Sequence, residues 1–263
     1  MRSFVLAIVV AAAAVAIPST GRCAASRLLL SQVAAAPTGG EYISIYNPND
    51  LTIDLSDYYL SDSGNYFKVV LATAPDAGDF IARFPGGASI APRATIVIAI
   101  DSAANFTASY GSVPDYQLSG SIGAPAMLAP FIGAISDGPS LTNAGEMAIL
   151  FYWDGISNLV TDVDYVAYGT PTAANVMTNK AGITINDSTY QADTADAPTL
   201  HAPLSAGAVL ATCRRDFAET GQTASGGNGV GGADESSEPS ATTWQPCSLP
   251  LVPDRIFADP FDV

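Results

Sequence analysis

Residues 41–62 read EYISIYNPNDLTIDLSDYYLSD, and this stretch decides the fold. Ile43 and Ile45 alternate with polar or aromatic residues, and the apolar residues of 51–55 alternate in the same way beyond a turn at residues 47–50. A period of two is typical of strands that bury one face. The stretch therefore predicts a β-hairpin, and its apolar side needs a second layer to cover it.

Strand-length apolar runs separated by Gly, Pro, Asn and Asp turns continue along the chain. The β-branched density of Thr95 to Ile100 suits a central strand. No convincing amphipathic helix follows residue 25, so the pattern indicates an all-β protein. The further predicted strands are Arg27 to Val33, Tyr66 to Leu71, Phe80 to Phe84, Met147 to Trp153 and Val160 to Tyr168.

The order of several short motifs resembles the lamin tail domain family. The motifs are Glu41, Tyr46-Asn47-Pro48, Asp54-Leu55-Ser56, Tyr59-Leu60-Ser61-Asp62, Phe84-Pro85-Gly86, Ile90-Ala91-Pro92, Asn143-Ala144-Gly145-Glu146 and the run from Val160 to Gly169. The family's order is complete from residue 28 to about 169. The resemblance implies an immunoglobulin-like β-sandwich, which is used as a non-catalytic module in secreted bacterial proteins. We expect this domain to occupy residues 26–217.

The first 25 residues have the pattern of a secretory signal peptide. Arg2 provides the charged start, Phe4 to Ile17 is apolar, and Cys23-Ala24-Ala25 supplies small residues for cleavage. The apolar run of about 14 residues is shorter than the roughly 20 that a membrane span needs. We expect a mature chain that begins near Ser26, has no membrane span, and is secreted, periplasmic or displayed at the cell surface.

The charge of the mature chain restricts its partners. Of 10 Lys and Arg residues, Arg2 and Arg22 leave with the signal peptide, so 8 remain against 25 acids and the net charge is −17. So acidic a chain repels nucleic acid and anionic lipid headgroups. A protein or glycan partner is the class that remains.

Two cysteines, Cys213 and Cys247, remain in the mature chain. An even count in an exported protein predicts one disulfide, although two unpaired thiols are the alternative. The pair would close residues 218–243, which are rich in Gly, Ser and acids and predict a mobile or poorly ordered loop. Residues 244–263 would form a C-terminal segment and tail.

The sequence contains no convincing catalytic motif. His201 is the one histidine, and no Gly-x-Ser-x-Gly motif accompanies it. Asp162 and Asp164, two apart in a predicted strand, share one face, which is either a solvated outer surface or a pair used for metal binding or catalysis. An extracellular carbohydrate-active hydrolase would need these two acids to converge with Asp154 or Glu146. We therefore expect no enzymatic activity and no catalytic residues.

Calcium is the one cofactor that the composition favours, because its ligands are carboxylate and carbonyl oxygens. The oxygen-rich loops are residues 57–65, 76–79 and 234–238. The candidate metal ligands are Asp57, Asp62, Asp234, Glu235 and Glu238, although solubilising loop charge explains the same residues.

The sequence thus predicts an exported, non-catalytic binding or structural module with a lamin-tail-like fold. A calcium-dependent adhesin is one alternative and a hydrolase is another. Six aromatic side chains either divide between the core and the strand edges, which is the interpretation that we favour, or form an aromatic platform for a sugar or protein ligand. They are Tyr58, Tyr59, Tyr66, Phe67, Tyr152 and Trp153.

Overall fold

The computed structural model describes residues 25–136 and 138–248. The predicted signal peptide, apart from Ala25, and residues 249–263 of the predicted tail lie outside the described residues. In chain order the strands are β1 Leu29–Ala36, β2 Tyr42–Tyr46, β3 Ile53–Asp54, β4 Tyr58–Ser61, β5 Ile81–Arg83, β6 Ser89–Ile90, β7 Thr95–Ala99, β8 Tyr116–Gln117, β9 Gly145–Tyr152, β10 Thr161–Gly169, β11 Thr184–Ile185, β12 Ser188–Thr189, β13 His201–Ala202, β14 Leu210–Arg214 and β15 Trp244–Pro246.

Two main sheets form the body of the protein. The first has six strands in the order β15-β14-β1-β2-β7-β8, and the second has five in the order β13-β10-β9-β4-β5. Neighbouring strands are antiparallel except for the pairs β7–β8 and β10–β13. The small sheets β3–β6 and β11–β12 lie beside them. The prediction of an all-β sandwich is confirmed.

A shared apolar core lies between the two main sheets. Ile43 and Ile45 of β2 point into it together with Leu60 of β4 and Leu150 of β9. Tyr42, the neighbour of Ile43, packs instead against Phe106 on the outer side of the first sheet. The alternation predicted for residues 42–46 is therefore correct, and it sets which side of the sheet each residue occupies.

The hairpin predicted over residues 41–62 is wrong. β2 pairs with β1 and β7 in the first sheet, whereas β3, which lies within the second arm at residues 51–55, pairs with β6. The following strand, β4, pairs with β5 and β9 in the second sheet. Asn47 explains why the chain leaves the first sheet after β2. Its side-chain amide donates to the carbonyls of Leu51, Ile90 and Ala91, which fixes the chain after β2 to the segment around residues 90 and 91. Leu51, expected on the apolar face, is 73% exposed.

Helical segments replace expected strand or loop at several places. Tyr66–Leu71 is a 3₁₀ helix, where a short strand was predicted. The helix α1 spans Ala103–Tyr110; Ser102 caps it by accepting from the Asn105 amide, and Gly111 ends it at φ 75°. A second helix, α2, spans Ser240–Thr243. None of the helices within the described residues is both long and apolar enough to cross a bilayer.

The apolar segment at residues 120–136 lies along the outer edge of β5. Arg83 and Leu128 exchange backbone hydrogen bonds, and the Ile81 amide donates to the Ala134 carbonyl. This contact covers backbone groups that an edge strand would otherwise expose. The segment therefore protects the sheet edge.

Residues 218–243, expected to form a mobile loop, are folded against the second sheet. They contain the 3₁₀ helices Val230–Gly232 and Glu235–Ser237, and the Asp162 amide of β10 donates to the Asn228 carbonyl. Glu235 and Glu238 are 5% and 2% exposed. The expectation fails because Glu238 pairs with the buried Arg214 of β14, while Glu235 accepts from Gln222 within the segment.

A disulfide joins Cys213 and Cys247, with Cα atoms 5.8 Å apart. It fastens β14 to the chain just beyond β15 and encloses the segment of residues 218–243. The predicted disulfide is therefore present, and the two cysteines are not free thiols.

Reduction of this disulfide is expected to lower the free energy of unfolding by about 3–4 kcal/mol, because the cross-link restricts the unfolded chain over a separation of 34 residues. Urea unfolding of residues 26–263 with and without reductant measures the difference. The double variant C213A/C247A should show the same loss and no response to reductant. An equal unfolding free energy in both conditions would contradict the prediction.

Candidate functional site

Three groups of buried charged side chains stand out in the described residues. The Arg214 cluster consists of Arg214, Asp164, Glu219 and Glu238. The Lys180 cluster consists of Lys180, Asp162, Asp193 and Tyr66. The carboxylate cluster consists of Asp62, Asp79 and Glu146. A buried charge is costly unless it is paired or binds a metal, so each cluster needs its own explanation.

The Arg214 cluster connects the two sheets. The Nη2 atom of Arg214 in β14 donates to both carboxylate oxygens of Asp164 in β10, at 2.8 and 2.7 Å. Its Nη1 atom donates to Glu238 at 2.6 Å, and its Nε atom donates to the Leu30 carbonyl at 2.7 Å. Burial lowers the pKa of Arg214, but the carboxylates of Asp164, Glu238 and Glu219 outweigh it and raise that pKa. The guanidinium therefore stays charged.

The Lys180 cluster lies on the other side of the second sheet. The Lys180 ammonium is 3.1 Å from Asp162 and 2.9 Å from Asp193, and both its partners and Lys180 itself are almost fully buried. Tyr66 accepts a hydrogen bond from Lys180 at 2.8 Å and donates one to Asp162. Burial raises the pKa of Asp162, and the charge of Lys180 opposes that rise. This cluster fixes the segment around Lys180 to β10.

A β-bulge separates the two aspartates that were expected to share a face. Asp162 is opposite Phe151 of β9, and Asp164 is opposite the next residue along, Leu150. Leu150 points into the core between the sheets and Phe151 into the cluster on the outer side, so the aspartates face opposite ways. Asp162 and Asp164 are 1% and 0% exposed, and the prediction of a solvated outer face is wrong.

The acids named for a hydrolase do not meet. Glu146 is the second residue of β9, and Asp154 lies two residues beyond the end of that strand, so the two are about 26 Å apart along an extended chain. Asp154 accepts hydrogen bonds from the amides of Ile156 and Ser157 in a turn. His201 pairs with Asp196 at 2.8 Å, a relation that the sequence did not indicate.

Most of the predicted aromatic platform is interior. Tyr58, Tyr59, Tyr66 and Phe67 are at most 2% exposed. Tyr59 stacks on Phe151 with ring centroids 5.0 Å apart. These rings are packing residues, so the platform as predicted does not form.

The carboxylate cluster lies at one end of the second sheet. Asp62 follows β4, Asp79 precedes β5, and Glu146 is the second residue of β9. β4 lies between β5 and β9 and runs antiparallel to both, which brings these three strand ends together. One carboxylate oxygen from each residue lies within 4.8 Å of the others. Asp62 and Glu146 are buried, and Asp79 is half-buried.

The protonation of this cluster is shifted by burial and by like charge. Burial raises the pKa of Glu146 to about 7; the Thr142 amide opposes the rise and Asp79 adds to it. Burial and the charge of Glu146 hold the pKa of Asp62 well above its usual range. Glu41, whose carboxylate accepts from the Leu141 amide at 3.0 Å, has a pKa raised to about 6.

Four of the five candidate metal ligands have protein partners outside the carboxylate cluster. Asp57 pairs with Arg83 at 2.9 Å. Asp234 accepts from the Ser236 amide and from the Thr194 hydroxyl. Glu235 accepts from Gln222, and Glu238 pairs with Arg214. Asp62 alone among the five belongs to the carboxylate cluster, where Asp79 and Glu146 join it.

The fold and these clusters define an all-β, immunoglobulin-like sandwich with charged centres between and outside its sheets. The model of the Lamin Tail Domain family matches residues 22–170, and the chain belongs to that family. A crystal structure of a DUF4876 family protein from Bacteroides thetaiotaomicron VPI-5482 is similar to this chain, with 15% identity, a TM-score of 0.46, and coverage of 86% of this chain and 72% of that one. The comparison with curated proteins finds no match.

The family match ends before three of the residues described above. Lys180, Arg214 and Cys213 follow residue 170, while Asp162 and Asp164 precede it. Both buried cations therefore come from the chain beyond the matched region and pair with acids inside it. The C-terminal part completes the charged centres of the sandwich.

Proposed function

We propose that this chain is an exported, non-catalytic module that binds a protein or glycan or serves a structural role at the cell envelope or outside the cell. The observation that carries the proposal is the use of Asp162 and Asp164. Each is fully buried, the two face opposite sides of the sheet, and each is neutralised by its own cation. Carboxylates held in this way stabilise a fold and do not flank a sugar bond as a hydrolase requires.

Two further observations support export. A disulfide closes residues 213–247, and disulfides persist in oxidising compartments outside the cytosol. The pattern of residues 1–25 is that of a cleavable signal. The net charge of −17 expected for the mature chain disfavours nucleic acid as a partner.

A reporter fusion tests the export. Residues 1–28 joined to a phosphatase that is active only after disulfide formation outside the cytoplasm are expected to give an active, released enzyme. Replacing Val9 in the apolar run by Asp should abolish the activity, whereas Ser3→Thr, which leaves that run intact, should not. Equal activity of the V9D fusion would contradict export through this segment.

A substrate panel tests the absence of catalysis. Purified residues 26–263 are expected to release no product from chromogenic glycosides or polysaccharides above the rate of buffer. Turnover that disappears in a folded Asp154→Asn or Glu146→Gln variant would contradict the proposal and favour the hydrolase. An array of glycans probed with the same protein then separates a glycan partner from a protein partner.

The calcium-dependent adhesin has one specific observation in its favour. The carboxylate cluster places three acids together, and two of them are buried. An adhesive module of this kind would be ordered by the cation and would bind its partner only when loaded.

A further inference from the structure

We propose that Asp62, Asp79 and Glu146 bind a calcium ion at the end of the second sheet. The site goes beyond the proposed function and does not depend on which partner the module binds. Its three residues come from three adjacent strand ends, which the sheet holds in place. A metal site built on strand ends in this way is defined by the fold rather than by one loop.

The distances fit a single cation. Calcium binds oxygen ligands at 2.3–2.6 Å, so two ligands of one ion are at most about 5 Å apart. The ligand oxygens of the three residues all lie within 4.8 Å of one another. Calcium accepts six to eight oxygens in flexible arrangements, and water can supply the remainder.

Two buried oxygen atoms beside the cluster have no hydrogen-bond partner among the described residues. Asp62 is 1% exposed; its Oδ1 atom accepts from the Phe80 amide at 2.6 Å, and its Oδ2 atom is the unpartnered one. The other is the hydroxyl of Tyr168. Burial raises the pKa of this hydroxyl well above its usual range, and the charges of Glu146 and Asp62 add to the rise. Native proteins leave few buried polar atoms unpaired, and a bound cation would satisfy the Asp62 oxygen.

The cluster also differs from the other two in its charge. Among residues 25–136 and 138–248, none of the ion pairs with Lys, Arg or His involves Asp62, Asp79 or Glu146. Asp164, Glu219 and Glu238 likewise bring three carboxylate oxygens within 4.8 Å of one another, but Arg214 pairs with all three and Arg27 also pairs with Glu219. A divalent cation would supply the missing charge at the carboxylate cluster.

The ligand chemistry selects calcium among the common divalent ions. All three ligands are carboxylates, which suit hard cations, whereas structural zinc sites use Cys and His. Magnesium requires near-ideal octahedral geometry and gives up its water reluctantly. Asp79 is half-buried and adjoins the exposed residues 76–78, which leaves the ion a route from solvent.

Thermal unfolding tests the site. Residues 26–263, freed of metal with a chelator and measured at pH 8, are expected to gain about 5–8 °C in Tm with 5 mM calcium, as follows for a Kd of about 10⁻⁴ M. Magnesium should give a smaller rise. Asp79→Asn and Glu146→Gln should remove most of the calcium effect, and the half-buried Asp79 keeps the test valid if E146Q does not fold.

Asp187→Asn is the matched control, because Asp187 is exposed in the β11–β12 turn at φ 68°, a conformation that Asn tolerates. It removes the same charge and should keep the full calcium effect. Terbium luminescence, excited through nearby tyrosines, should appear in the wild type and D187N and vanish in D79N. A Tm that does not respond to calcium, or a response that D79N and E146Q retain in full, would overturn the proposal.

Discussion

Replacing Arg214 by Ala is expected to lower the free energy of unfolding by about 3–5 kcal/mol, or to prevent folding at 37 °C. The guanidinium makes two hydrogen bonds to Asp164 and one to Glu238, and all three side chains are almost fully buried. Removing the cation leaves two acids without compensation in the interior. Urea unfolding of residues 26–263 measures the loss.

Arg215→Ala is the matched control, because Arg215 is the next residue and is exposed. The R215A variant is expected to change the free energy of unfolding only slightly. Arg214→Lys should recover only part of the loss, since an ammonium cannot form the paired hydrogen bonds to Asp164. A loss for R214A no larger than that for R215A would show that the cluster does not hold the sheets together.

Replacing Lys180 by Met is also expected to lower the free energy of unfolding by about 3–5 kcal/mol. Methionine keeps most of the length of the side chain and removes its charge, so Asp162 and Asp193 stay buried without their cation. Chemical unfolding followed by circular dichroism measures the change.

A double variant makes the Lys180 test specific. Asp162→Asn combined with K180M removes one of the uncompensated acids, and the double variant is expected to be more stable than K180M alone. Lys68→Met is the control, because Lys68 is only partly buried and its ammonium lies 5.8 Å from the centroid of the Phe67 ring. If K180M and K68M lost equal amounts, the buried ion pairs would not be the source of stability.

The fold class could be predicted because alternation records which residues are buried. Ile43 and Ile45 face the core in the structure as their spacing indicates. The pairing of β2 could not be predicted, because the same alternation fits any partner strand and Asn47 redirects the chain through contacts about 43 residues away. Helix α1 was missed although Ser102 and Gly111, which cap it, are legible as helix ends.

The charged clusters were much less predictable from sequence. Asp162 and Asp164 have the spacing of residues on one face, and the bulge that turns them apart depends on how β10 pairs with β9. Lys180 and Arg214 are 18 and 50 residues from the aspartates that they neutralise. Asp62 was recognised as a candidate ligand, whereas Glu146 joins it only because β4 and β9 are neighbours in the sheet.

The carboxylate cluster differs from the Arg214 and Lys180 clusters in that its acids have no cation among the described residues of the chain, and the proposed calcium site rests on this difference. In the Arg214 and Lys180 clusters a cation of the chain pairs with the buried acids, and these ion pairs stabilise the sandwich. The carboxylate cluster holds acids that the described residues leave without a cation, so it is the place where an external ligand would act.

The most direct test is a crystal structure of residues 26–263 soaked in terbium, which replaces calcium and gives strong anomalous scattering. If calcium binds at the carboxylate cluster, we expect an anomalous peak about 2.3–2.6 Å from oxygens of Asp62, Asp79 and Glu146. A map in which these carboxylates share hydrogen bonds with one another, and in which the anomalous peaks lie elsewhere or are absent, would contradict it.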